Sequence, residues 1–235
     1  FIFIEKPLSD QWDGIEDLLA AENACGEKKV VVGYQYRFHP ALKLVKENIK
    51  TGRIGTIVGA RLVNGEYMPG WHPYEDYRKS YAARKELGGG AIVTQIHDFD
   101  NAMWLFGEPD KLFSVGGKIS TLDINVEDSV QILMQCHNGI NDFPVTISMD
   151  YLQWPAVRTI SITGDKGAME CDLTNSKLTI FDRIDDNTEI HNFKNYDRNE
   201  MFISEMKNFL AFVEGKEKPF VDLKTAVKSL RIALD

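Results

Sequence analysis

The stretch Phe1-Ile2-Phe3-Ile4-Glu5-Lys6-Pro7, read together with Val30-Val31-Val32, decides the fold. Four consecutive apolar residues make the pattern of a parallel strand covered on both faces. Ser9 predicts the N-cap of a helix from about Asp10 to Cys25. On that helix Trp12, Ile15, Leu19 and Glu22, with Leu18 beside them, fall at helical spacing, and Gly26 stops it. Val30-Val31-Val32 is a second buried strand. Strand, helix and strand joined by short connections make a βαβ unit, so the two strands run parallel. Residues 1–37 therefore read as the tail of a doubly wound domain. Because the chain opens on Phe inside a buried strand, the expectation is a longer natural chain that continues upstream of Phe1.

Outward from this unit the pattern changes. Pro40 suits the first turn of a helix carrying Leu42, Val45 and Ile49, which stops at Gly52. Residues 56–67 read as a strand, and residues 68–87 as a long loop rich in Tyr, Arg, Trp, His and Gly. Loops of that length in compact domains are usually functional or disordered, and this one has too many aromatic residues to be disordered. Gly88-Gly89-Gly90 opens a helix whose apolar face is Ile92, Ile96, Phe99, Met103 and Phe106; Gly107 ends it and Pro109 blocks its continuation. From residue 111 to about 193 strand follows strand. Val145, Ile147 and Met149 alternate with polar residues, as do Ile160 and Ile162, which predicts antiparallel strands with one wet face. Gly164-Asp165-Lys166-Gly167 signals a hairpin. Two helices, near 198–213 and 222–234, close the chain. The expected architecture is an α/β remnant of a doubly wound Rossmann domain (1–37), followed by an α+β domain (38–235) with a large, mostly antiparallel open sheet.

Composition excludes several classes. A net charge of −8 without a Lys/Arg block argues against a nucleic-acid partner. No run of about 20 apolar residues suggests a membrane span, and the first residues do not form a signal peptide. Cys25, Cys136 and Cys171 are far apart and form no CxxC, which predicts a reducing cytoplasm rather than a disulfide framework. His39, His72, His97, His137 and His191 are scattered and no HExxH occurs, so no metal site is expected.

Candidate chemistry lies in three places. Lys6 follows the first strand, where doubly wound sheets bind ligands, although by position alone it reads as a surface lysine in a β–α turn. Thr94, His97, Asp100 and Trp104 share one helix face, apart from the apolar stripe. A His one turn from an Asp suits a general acid/base with an orienting partner, and equally suits a surface His beside a charge; the glycine run tips the balance toward a site. Arg37, Arg78, Arg84, Tyr77 and Tyr81 flank the same region. Each alone reads as an ordinary loop residue, while together they suit a polyhydroxylated or anionic substrate.

These residues resemble a known family. Glu5-Lys6-Pro7 looks like the EKP motif of the glucose-fructose oxidoreductase / inositol dehydrogenase / rhizopine-catabolism family. Gly33 through Pro40, the Gly52-Arg53-Ile54-Gly55 turn, and Gly88-Gly89-Gly90 followed by His97 and Asp100 are similar to its motifs in the same order. The segment Asp76-Tyr77-Arg78-Lys79-Ser80-Tyr81 through Gly90 resembles members in sialic-acid-type sugar pathways.

The resemblance implies an oxidoreductase that uses NAD or NADP to move a hydride to or from a sugar, cyclitol or sugar-nucleotide. It places Lys6 and His97 as catalytic residues, and Glu5, Lys6, Pro7 and Arg37 at the cofactor, with a cis Lys6-Pro7 bond. It puts Arg78, Tyr81, Arg84, Thr94 and Asp100 at the substrate, and a homodimer or homotetramer through the antiparallel sheet. Two departures stand out. Val93 and Thr94 occupy the positions where the family usually has an Asp, and no GxGxxG occurs in the 235 residues. The Thr94 departure motivates a second expectation, a non-catalytic binding or assembly protein on the same fold; a third is an NAD-assisted, redox-neutral lyase or hydrolase.

Overall fold

A computed structural model describes residues 1–26 and 28–235. The chain opens with β1 (Ile2–Glu5), α1 (Ile15–Ala24) and β2 (Val30–Gly33). β1 and β2 pair in parallel from Ile2 opposite Val30 to Glu5 opposite Gly33, as expected of a βαβ unit. The first helix is shorter than the sequence predicts. Ser9 caps only a local turn, accepting from the Gln11 N–H at 3.2 Å, and α1 begins after Gly14, which is left-handed at φ 79°. Glu22 ends in the interior, where Oε1 accepts the N–H groups of Lys29 and Val30, each at 2.9 Å. The carboxylate thereby fixes the start of β2 against α1.

The parallel pair does not stand apart. α5 (Asn199–Val213) lays Phe212 against Phe1 and Phe209 against Phe3, with ring centroids 5.1 and 5.5 Å apart. Val32 N–H donates to Val221 O just before α6 (Leu223–Leu234), and Val30, Val32, Val221, Leu223 and Leu230 belong to one core. Residues 1–37, expected as a unit of their own, share that core with the C-terminal helices.

The larger layer is an eight-stranded sheet in the order β10-β9-β8-β7-β3-β6-β5-β4. Its strands are β3 (Ile57–Gly65), β4 (Lys111–Gly117), β5 (Ser129–His137), β6 (Asp142–Asp150), β7 (Val157–Gly164), β8 (Gly167–Asp172), β9 (Lys177–Asp182) and β10 (Asn187–Asn192). All neighbours are antiparallel except β3 and β6, which run parallel at the centre. Leu62, Ile132, Met134, Val145, Ile147, Met149, Ile160 and Ile162 point inward. They meet Leu42 and Val45 of α2 (Pro40–Lys50) and Phe99 of α4 (His97–Phe106) in the same core. Each such aliphatic side chain contributes roughly 1.5–3 kcal/mol on burial. α2 starts as its proline predicts, with the His39 side chain accepting the Ala41 N–H at 3.2 Å. Residues 68–87 form the expected long connection, bent by short 3-10 turns and packed as a second cluster of Met68, Ala82, Ala83, Ala91, Val126 and Tyr151. No described helix is long and apolar enough to cross a membrane.

The segment after the glycines departs most from expectation. One continuous helix was predicted; instead α3 (Ala91–Thr94) ends at Gln95 and α4 begins at His97. At the break Asp98 N–H donates to Gln95 O rather than to Thr94 O, so the Thr94 carbonyl has no helical donor.

Candidate active site

The freed Thr94 carbonyl accepts a hydrogen bond from Lys6 Nζ at 2.9 Å. This bond joins the carboxyl end of β1, where the Lys6-Pro7 peptide is cis, to the helix break 88 residues later. The chain turns sharply there because of its glycines. Gly88 and Gly90 have φ of 73° and 118°, and a Cβ on Gly89 would lie 2.3 Å from Tyr81 O. Glu127 holds the other side, accepting Ile92 N–H at 3.0 Å through Oε1 and Ala91 N–H at 3.1 Å through its own carbonyl.

Lys6, Thr94 and His97 line one cleft of about 220 Å³, together with Gln35, Tyr36, Asn64, Glu66, Trp71, Gln95, Arg158 and Arg198. His97 is buried with its ring edge-on to Tyr34 and Tyr36, at centroid distances of 5.8 and 4.9 Å, and its Nδ1 has no hydrogen-bond partner among the described residues. Burial, and then the charges of Lys6, Arg158 and Arg198, hold its pKa well below the usual histidine value, so the imidazole is neutral at physiological pH. Burial and the nearby Arg158 lower Lys6 to about 8. Both candidates thus share one electrostatic setting that disfavours added positive charge.

Arg158 comes from β7 and lies on the inward side with Ile160 and Ile162. Its Nη2 donates to Asp98 Oδ2 at 3.0 Å, and the guanidinium sits 4.3 Å from the Tyr36 ring centroid. Asn64 of β3 donates to the same Asp98 oxygen at 2.6 Å. Burial works against the charge on Arg158, but Asp98 beside it prevails and keeps the guanidinium protonated.

The other expected residues lie elsewhere. Arg37 and Asp100, placed by resemblance at cofactor and substrate, form a buried two-pronged pair with both contacts at 2.7 Å and side-chain exposures of 6% and 1%. Ser229 Oγ adds a hydrogen bond to Asp100 at 3.2 Å, so the pair ties α4 to α6 beneath the cleft and does not line it. Asp100 hence does not orient His97: its oxygens are taken by Arg37 and Ser229. Arg78 is held outward by Asp76 at 2.7 Å, and neither it nor Arg84 lines the cleft, whereas Tyr81 lies just behind it, against the Thr94 side chain. Glu5 ends β1 beside Lys6 but is exposed.

Sequence reading missed Asn64, Gln95 and Arg158. Asn64 and Arg158 continue the inward parity of Ala60-Leu62 and of Ile160-Ile162. A polar residue at an inward strand position is a signal that could have found both.

Comparison with known proteins bears on this geometry. Residues 42–170 match the family model described as the GFO/IDH/MocA C-terminal domain. An inositol 2-dehydrogenase from Rubrobacter xylanophilus is 32% identical over 107 residues, 46% of this chain and 27% of that protein. A 2,7-anhydro-N-acetylneuraminate hydratase from Escherichia coli (strain K12) is 25% identical over 176 residues, 73% of this chain and 45% of that protein. The chain thus spans less than half the length of these curated relatives. Among solved structures, an NAD binding oxidoreductase from Klebsiella pneumoniae superposes with a TM-score of 0.82 at 17% identity, covering 99% of this chain and 69% of that one. A match over more than half of the residues, with the same architecture in the solved structure, establishes that the chain belongs to the GFO/IDH/MocA family.

Proposed function

We propose that the chain contributes the catalytic cleft of an NAD(P)-dependent oxidoreductase acting on the CH–OH group of a sugar, cyclitol or sugar-nucleotide. The observation that carries this reading is the meeting of Lys6 and His97 in one cleft, with Lys6 hydrogen-bonded to the Thr94 carbonyl at the helix break just before His97. The names of the relatives, an inositol dehydrogenase and a sialic-acid-type hydratase, support a polyhydroxylated substrate. We read β1-α1-β2 as part of a doubly wound dinucleotide-binding unit. Lys6 at the carboxyl end of β1, and unpartnered buried atoms such as Gln35 Oε1 and His97 Nδ1, fit the nicotinamide and reacting-carbon end of such a site. The residues present supply no glycine-rich pyrophosphate loop.

When bound, a nicotinamide supplies the hydride acceptor or donor. The proton belongs to the protein. Lys6, with its pKa at about 8, is close enough to neutrality to act in either direction: Nζ accepts the hydroxyl proton in oxidation and its ammonium form returns it in reduction. Neutral His97 hydrogen-bonds the reacting hydroxyl and holds it toward Nζ. Arg158, fixed by Asp98 and Asn64, forms the wall opposite.

The test is nicotinamide reduction by the oxidoreductase to which the chain contributes this cleft, with a panel of polyols and sugars. Lys6→Met and His97→Asn are each expected to lower kcat by about 10²–10⁴; full activity in both would sink the assignment. The hydratase relative favours one second reading, a redox-neutral reaction through the same transfer, which would show as transient NADH without net reduction. The three free cysteines accord with a reducing compartment. The solvent face of the sheet, with Phe113, Val115 and Leu133 exposed, we read as the surface that pairs with a second copy.

A further inference from the structure

Several buried side-chain atoms without a hydrogen-bond partner among the described residues sit on residues lining the cleft: Gln35 Oε1, Trp71 Nε1, Gln95 Oε1, His97 Nδ1 and Arg158 Nε. Buried polar atoms are ordinarily partnered, so this concentration marks where a polar ligand is received. The charges in the walls are lopsided. Lys6, Arg158 and Arg198 face the cleft, and Glu66 is the one acid among the described lining residues. Asp98, behind the wall, engages Arg158 through Nη2, Tyr36 also hydrogen-bonds the guanidinium, and Nε is buried with no partner among the described residues. Arg198 forms no ion pair among the described residues and stands exposed at the rim. A guanidinium set on the inward face of a strand beside Ile160 is costly unless its remaining donors are used.

We infer that Arg158 and Arg198 form an anion subsite and that the substrate is a sugar acid, its carboxylate taken by these two guanidinium groups while a ring hydroxyl is presented to Lys6 and His97. The inference rests on reading the cleft as the substrate site. A guanidinium fork matches a carboxylate in geometry and charge. The cleft volume, about 220 Å³, lies below the roughly 300–1,000 Å³ of sites for drug-sized ligands and suits one sugar ring with its carboxylate better than a nucleoside diphosphate.

Calorimetric titration of the protein with D-glucuronate, D-glucose and UDP-glucose tests this directly. D-Glucuronate is expected to bind at least about tenfold more tightly than D-glucose, as one charge-assisted hydrogen bond would give. Arg198→Gln, an exposed substitution that breaks no ion pair among the described residues, is expected to abolish the difference by weakening D-glucuronate binding at least about tenfold. Arg158→Lys, which keeps the charge beside Asp98 but loses the fork, is expected to abolish most of it. Equal binding of the two sugars, binding of neither, a preference unchanged in Arg198→Gln, or tighter binding of UDP-glucose would each overturn the inference. Failure of the oxidoreductase reading looks different: D-glucuronate binding through Arg198, with no nicotinamide reduction by any sugar in the oxidoreductase to which the chain contributes this cleft, supports the subsite and contradicts hydride transfer.

Discussion

Lys6 is a cation held where its charge is unwelcome. With its pKa near 8 in the folded chain and 10.5 when exposed, the unfolded state binds the extra proton between those values. Stability therefore rises with pH across that window, and below pH 8 the full penalty is present. Lys6→Met is expected to raise stability at pH 7 by about 1–3 kcal/mol, discounted for partial exposure. Thermal melts at pH 7 and pH 10 check this, since the gain must shrink at the higher pH. The same residue should set the pH dependence of turnover. In the oxidative direction kcat/KM rises with pH through about 8 as Nζ loses its proton; in the reductive direction it falls through the same value. His97, kept neutral far below its usual range, adds no inflection near neutrality.

At the scale of elements, the glycine run and the helix break are one device. Gly89 passes so close to the Tyr81 and Ala82 backbone that a methyl group has no room, and Gly90 adopts a φ of 118°. Gly89→Ala is expected to destabilise by about 1–3 kcal/mol through overpacking against backbone. It should also displace Thr94, so kcat should fall more steeply than stability alone explains; chemical denaturation beside kinetics separates the two. The sequence announced this element by its glycines, and β1, β2 and α2 by their apolar runs and Pro40. It did not announce the break at Gln95. Ile92, Ile96, Phe99, Met103 and Phe106 keep a helical period straight through it, because the chain resumes its helix nearly in phase. Glycines cannot say where a carbonyl is freed. Lys6 looked like an ordinary surface lysine because its partner lies 88 residues away. Arg37 and Asp100 were read as site residues because a pairing across 63 residues, closed by Ser229 from the last helix, leaves no local trace.

Across the whole molecule, the parallel pair and the large sheet hold opposite sides of the cleft: Lys6 comes from one, Asn64 and Arg158 from the other, and the C-terminal helices clamp the two together. The outer face of the sheet is a separate matter. Phe113, 66% exposed, stands opposite Leu133, 48% exposed, in register on the edge strand β4 and its neighbour β5. The alternation that predicted a wet face did not predict apolar residues upon it. Leu133→Arg is expected to turn a sedimenting dimer or tetramer into a monomer at micromolar concentration without unfolding it; a wild-type monomer would contradict the pairing surface.

The most direct test of the central claim is nicotinamide reduction by the oxidoreductase to which the chain contributes this cleft, across a panel of sugars, sugar acids and cyclitols, measured against pH for the wild type, Lys6→Met and His97→Asn. The account predicts turnover in the wild type that climbs through pH 8, and a loss of about 10²–10⁴ in each variant, with the inflection absent in Lys6→Met. Undiminished turnover in both variants, or a wild-type profile that is flat through pH 8, would contradict it.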